Sequence, residues 1–215
     1  MPSAAVGACN SNLERVDDIL SFHDKELNPA VGPPPGRDRS LVLGAVVLLY
    51  AAWEAYVEQV AVELTDFLAG HLAPANVPAS VTDALAAQSK PWDLAGDGWR
   101  TEWKAMVKKK AVGSGGTGDF GLNTAGPGQI IGLFALVGVD PFGAVNWQNM
   151  STAAVKTKIS ALVRDRSEIA HTAQVPAGLG LNTARTYRDF VARLVEKFDE
   201  KLGTKGAALA PAAPW

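Results

Sequence analysis

Apolar residues recur along this chain at helical spacing, and no stretch alternates with the period of two that a half-buried strand shows. Leu13, Val16, Leu20, His23 and Leu27 form one stripe, which predicts a first helix from about Asn12 to Leu27. The connector NPAVGPPPGRD follows, too rich in proline to be helical. A long second helix is expected from about Arg39 to His71, apolar nearly all round in its first half, as suits burial among neighbours. Ser80-Val-Thr-Asp83 has the form of a capping box for a short third helix. Another short helix should cover Trp99 to Val112. Gly113 to Gly128 reads as a long mobile loop without a phosphate-binding fingerprint. Further helices are expected at Ile130 to Val137, about Met150 to His171, and about Asn182 to Leu202, the last with Asn182 as N-cap. Tyr187, Phe190, Val191, Leu194, Val195, Phe198 and Leu202 give that last helix a single strong face. The expected architecture is all-α, an up-and-down helical bundle with extra short helices. It forms one domain over residues 1–205, with 206–215 as a flexible tail of small residues and proline.

Composition narrows the chemistry. The 215 residues are 47% hydrophobic and 20% charged, ordinary values for a globular chain. Basic and acidic residues number 20 and 22, so a general nucleic-acid coat is excluded and any RNA contact must be local. One cysteine, Cys9, excludes an internal disulfide framework and a multi-cysteine zinc site, and it lacks an activating pattern. His23, His71 and His171 are too scattered for a histidine-rich metal site, and no cofactor is implied. His23 reads as a core histidine, and His71 suits the negative end of a helix dipole. The start of the chain has no secretory pattern, so a cytoplasmic location is the expectation. The most apolar run, Leu41 to Trp53, has 13 residues. A membrane span needs about 20, so the run reads as a buried helix and no membrane partner is expected.

The segment Arg164-Asp165-Arg166-Ser167-Glu168-Ile169-Ala170-His171 carries the candidate chemistry. On a straight helix Arg164, Glu168 and His171 share one face. Arg166 falls instead within the apolar stripe, where a charge must find a partner. One reading is an ion pair with a carboxylate such as Glu54. The other is an anion-binding arginine beside a histidine that exchanges protons near neutral pH. A second candidate is the basic stretch Trp99, Arg100, Trp103, Lys104, Lys108, Lys109 and Lys110. It reads either as an RNA-binding surface with stacking aromatics or as a solvated face with its tryptophans in the core. Glu54 and Glu58, one turn apart, are either an acid/base pair or ion-pair partners for the arginines.

Arg166-x4-His171 resembles the Arg-x4-6-His motif of the HEPN superfamily, and Arg164-x6-His171 fits the same range. Leu48 to Glu58, with its Trp-Glu-x-Tyr-Val run, resembles the long second helix of the RiboL-PSP-HEPN branch. Ile131 to Gly138, followed by Trp147, resembles the stretch before that branch's motif helix. Together these landmarks cover about Leu41 to Leu202. The resemblance implies a bundle that forms a homodimer. It also implies metal-independent endoribonuclease activity in bacterial defence or toxin–antitoxin settings, with an antitoxin or defence protein as partner. Histidine would move the ribose 2′-hydroxyl or leaving-group proton, and an arginine fork would hold the phosphate. Many members carry Asn or Asp directly after the motif arginine. Here Asp165 follows Arg164, while Ser167 follows Arg166. The helical wheel favours Arg164 and the commoner spacing favours Arg166. The expected catalytic set is Arg166 and His171 with Arg164 beside them, supported by Glu168, Asp165 and Glu54, and with Lys104, Lys108, Lys109 and Lys110 on RNA. The competing readings are a non-catalytic HEPN module that binds a protein or nucleotide, and a plain structural bundle.

Overall fold

The structure, a computed structural model, describes residues 1–25, 35–115, 120–143 and 145–215, with the backbone alone at 22–25 and 35–38. Among these residues it is all-α. The helices are α1 (Ala4–Lys25), α2 (Pro35–His71), α3 (Ala79–Gln88), α4 (Gly98–Val112), α5 (Pro127–Val137), α6 (Thr152–Thr172) and α7 (Leu181–Leu209). A single 3-10 turn, Pro74–Asn76, follows α2.

The central helix is α2, which packs against α1, α4, α5, α6 and α7. Its aromatic residues explain why. Trp53, Phe134 of α5 and Phe142 set their rings edge-on to Phe198 of α7, at centroid distances of 5.6, 5.8 and 5.6 Å. Edge-to-face pairing of this kind adds to the area that the rings bury. The expectation of near-complete burial for α2 holds only in part. By length and composition this helix could cross a membrane, yet half of its most apolar window is buried inside the bundle. Val47 and Leu48 remain exposed.

Several boundaries differ from the sequence reading. Helix α1 begins at Ala4 rather than near Asn12. Ser3 initiates it: its hydroxyl accepts from Val6 N–H and donates to buried Asp199 of α7. Ala5 and Cys9 extend the buried stripe of Leu13, Val16 and Leu20 upstream. The expected connector overlaps α2, which is already helical at Pro35. Ser80 caps nothing; its hydroxyl donates to the Ala135 carbonyl of α5 at 3.0 Å, and Pro78 precedes the helix instead. Helix α7 starts at Leu181 behind Gly180, so Asn182 is not its N-cap. The expected loose tail is helical to Leu209. Beyond that, Ala210 is buried, and Pro214 and the indole of Trp215 lie over Gly206 and Gly203. Gly138 ends α5 at φ 89°, with its N–H on the carbonyls of Phe134 and Ala135. A side chain there would strike Pro78. The His23 side chain and residues 116–119 of the glycine-rich loop lie outside the described residues.

Candidate functional site on α6

Helix α6 is capped at both ends. The Ser151 hydroxyl accepts from Ala154 N–H at its start, and Ala173, at φ 53°, donates its N–H to the Ile169 carbonyl at its end. The helix therefore stays regular through His171, and the wheel applies. Val155, Ile159, Leu162, Asp165 and Ile169 face the core. Arg164, Glu168 and His171 face solvent. Arg164 and His171 lie about 20° apart around the axis and about 10 Å apart along it. Arg166 and His171 are about 140° apart around it, so they do not converge within one chain.

Arg164 is exposed but held. Its Nε and Nη2 donate to Asp165 Oδ1 at 3.1 and 2.9 Å. Asp165 is buried, and its Oδ2 accepts from the Tyr187 hydroxyl of α7 at 2.7 Å. The bonds to Asp165 raise the Arg164 pKa further, so the guanidinium keeps its charge. Burial, and then the bond to Asp165, push the Tyr187 phenol well up, so it remains a proton donor. The sequence reading placed Tyr187 among core residues only. Its signal was a lone hydroxyl in an apolar stripe, a group that needs a partner once buried.

Arg166 is half-buried, and its partner is not the expected carboxylate. Its guanidinium carbon sits 4.8 Å from the centroid of the Tyr50 ring. The Tyr50 hydroxyl donates to Glu54 Oε1 at 2.8 Å and accepts from Ala125 N–H at 2.8 Å. Arg166 thus reaches Glu54 through an aromatic ring rather than by an ion pair, and it helps to hold α6 against α2. Cation–π contacts are worth about 0.5–2 kcal/mol, depending on exposure. One turn beyond Glu54, Glu58 is half-buried. Its carboxyl is pushed up to about 7, chiefly by burial and secondly by the Glu54 charge.

The tryptophans of the basic stretch are in the core. Trp103 is fully buried and donates to the Leu136 carbonyl at 2.8 Å. Trp99 is buried beneath the Arg100 guanidinium. Arg100 itself donates to the carbonyls of Ala69 and Leu72 at the end of α2. None of these three can stack a base. Lys104 pairs with Asp66 at 3.2 Å, while Lys108, Lys109 and Lys110 point outward. His71 bonds the Phe67 carbonyl through Nδ1 and stacks on the Phe67 ring. Among the described residues no three His, Cys, Asp or Glu side chains are grouped to hold a metal.

No family model matches this chain, nor does any curated protein or solved structure.

Proposed function

We propose that the chain is a metal-independent endoribonuclease of the HEPN type, acting as a homodimer in bacterial defence or toxin–antitoxin chemistry. The observation that supports this most is the exposed Arg164–His171 face of α6, on which Arg164 is gripped by the buried Asp165–Tyr187 pair. Asp165 occupies Nε and one Nη, which leaves Nη1 for a phosphate oxygen. A guanidinium held in this way stabilises growing negative charge without reorganising.

In the proposed reaction an imidazole takes the proton of a ribose 2′-hydroxyl. The 2′-oxygen attacks the adjacent phosphorus, the bond to the 5′-oxygen breaks, and that oxygen takes a proton from a second, protonated imidazole. The products are a 2′,3′-cyclic phosphate and a free 5′-hydroxyl. One chain offers a single histidine on this face, so the second comes from another copy. Arg166 has the commoner motif spacing but faces Tyr50. On this reading it positions α6, and Arg164 carries the phosphate.

The test is cleavage of structured and unstructured RNA in EDTA, with analysis of the ends. Cyclic phosphate ends are expected, lost in His171→Ala and Arg164→Ala while circular dichroism is unchanged. Intact RNA across varied substrates would overturn the proposal and leave the protein- or nucleotide-binding module. Loss in Arg166→Ala with Arg164→Ala active would reassign the arginine.

A further inference from the structure

Three tryptophans are buried, and two of them are bonded. Trp53 Nε1 donates to the Ala125 carbonyl, and Trp103 Nε1 donates to the Leu136 carbonyl. The third, Trp99, is 8% exposed, and its Nε1 is buried without a partner among the described residues. Buried donors are almost always met, so an unmet one calls for a reason.

Trp99 lines a pocket of about 240 Å³ together with Pro74, Val77, Thr82, Leu85 and Leu94. Four segments build it. Pro74 and Val77 come from the 3-10 turn after α2, Thr82 and Leu85 from α3, Leu94 from the turn before α4, and Trp99 from the start of α4. Gly98 seats that last turn: a Cβ there would lie 2.1 Å from the Asp93 oxygen, so the backbone approaches the start of α4 more closely than a side chain allows. Pro74 and Thr82 are exposed while Leu85 and Trp99 are buried, so the pocket runs inward from the surface.

The lining decides what fits. It contains no charged side chain. The cation over the Trp99 ring, Arg100, is committed: Nε donates to Asp97, and Nη1 and Nη2 donate to the carbonyls of Ala69 and Leu72. The Thr82 hydroxyl donates to the Ala79 carbonyl. The donor left over is the Trp99 N–H. A fitting ligand is therefore neutral and apolar and carries an oxygen that accepts. The Trp99 indole breaks no hydrogen bond by turning toward that oxygen, so the new bond is a clear gain. An apolar cavity of about 150 Å³ takes one benzene ring. The larger volume here takes a ring with a short substituent, about nine heavy atoms.

We propose that this pocket is a binding site for small neutral apolar molecules with a carbonyl oxygen, to which the Trp99 N–H donates. None of its lining residues lies on α6, and the site stands whether or not the chain cuts RNA.

The experiment titrates the full chain with acetophenone and follows the indole N–H signals by NMR, with the Trp99 signal assigned from Trp99→Phe. Saturable binding is expected, with the Trp99 proton moving downfield as it gains an acceptor. The protons of Trp53 and Trp103 are already bonded and should stay in place. α-Methylstyrene has the same shape with a methylene group in place of the oxygen. It should bind without the downfield shift. Trp99→Phe should weaken acetophenone about fivefold more than it weakens α-methylstyrene, a comparison in which the change of ring size cancels. Thr82→Phe, at the exposed rim, should block both compounds without altering the melting curve. Absence of saturable binding up to the solubility limit overturns the proposal. So does binding that leaves the Trp99 signal in place, or an equal loss of the two compounds in Trp99→Phe.

Discussion

Tyr187 and Asp165, on different helices, share a 2.7 Å hydrogen bond in the core, and the other oxygen of the same carboxylate holds Arg164 at the surface. The pair couples a buried anchor to an exposed cation. Tyr187→Phe keeps the ring and removes the donor, leaving a buried carboxylate oxygen without its partner. The expected cost is about 1–3 kcal/mol of unfolding free energy in urea. On the proposed ribonuclease reading, Asp165 then grips Arg164 less firmly, and RNA cleavage should fall further than the loss of folded protein explains. A variant as stable as the parent would show that the bond contributes nothing.

The Tyr50 hydroxyl serves two partners at once, accepting from Ala125 N–H and donating to Glu54. Tyr50→Phe preserves the ring beneath Arg166 but strands a buried backbone N–H, the more costly of the two losses. We expect about 2 kcal/mol of destabilisation. Amide exchange at Ala125 should become markedly faster, because its protecting acceptor is gone. Unchanged exchange at Ala125 in Tyr50→Phe would rule this account out.

The period of apolar residues was enough to find the α2, α4, α6 and α7 helices and the solvent face shared by Arg164, Glu168 and His171. It failed where burial depends on small residues. Ala5 and Cys9 are in the core of α1, yet neither has the bulk that marks a stripe. The end of α7 departs from the expectation for a similar reason: Gly206 and Ala210 look like a tail, but both are buried, and Gly206 lies against Pro214 and Leu64 of α2. At the site, the wheel separated Arg164 from Arg166, but the partners lay beyond local sequence. Tyr187 is 22 residues from Asp165, and Ala125 is 75 from Tyr50. Such pairs follow from how helices cross, which periodicity does not encode.

Cys9 illustrates how burial sets reactivity. The thiol is in the core, and desolvation pushes it up to about 12. Only the thiolate reacts, and a thiol so raised is almost wholly protonated at neutral pH. In native protein Cys9 should resist Ellman's reagent at pH 8 for hours and react within minutes in 6 M guanidinium. Rapid native labelling would mean that α1 leaves the bundle readily.

The strongest pH effect should come from Glu58. Its carboxyl titrates near 7 in the folded chain against an ordinary 4.5, chiefly through burial and then through Glu54. Between these two values the folded state holds a proton that the unfolded state has released. Unfolding free energy therefore falls as pH rises from about 4.5 to about 7, and this contribution is flat on either side. Asp199 and Glu63 are also raised, both mainly by burial, and they act in the same direction. Some slope should thus survive the loss of Glu58 alone. Glu58→Gln fixes the neutral form, so the variant should be more stable than the parent at pH 8 and similar to it at pH 4.5. Glu54→Gln should move the Glu58 transition downward, because it removes the neighbouring charge. Urea titrations at half-unit pH steps separate these outcomes. A Glu58→Gln protein with the parent's full slope would place the titration on Asp199 and Glu63 instead.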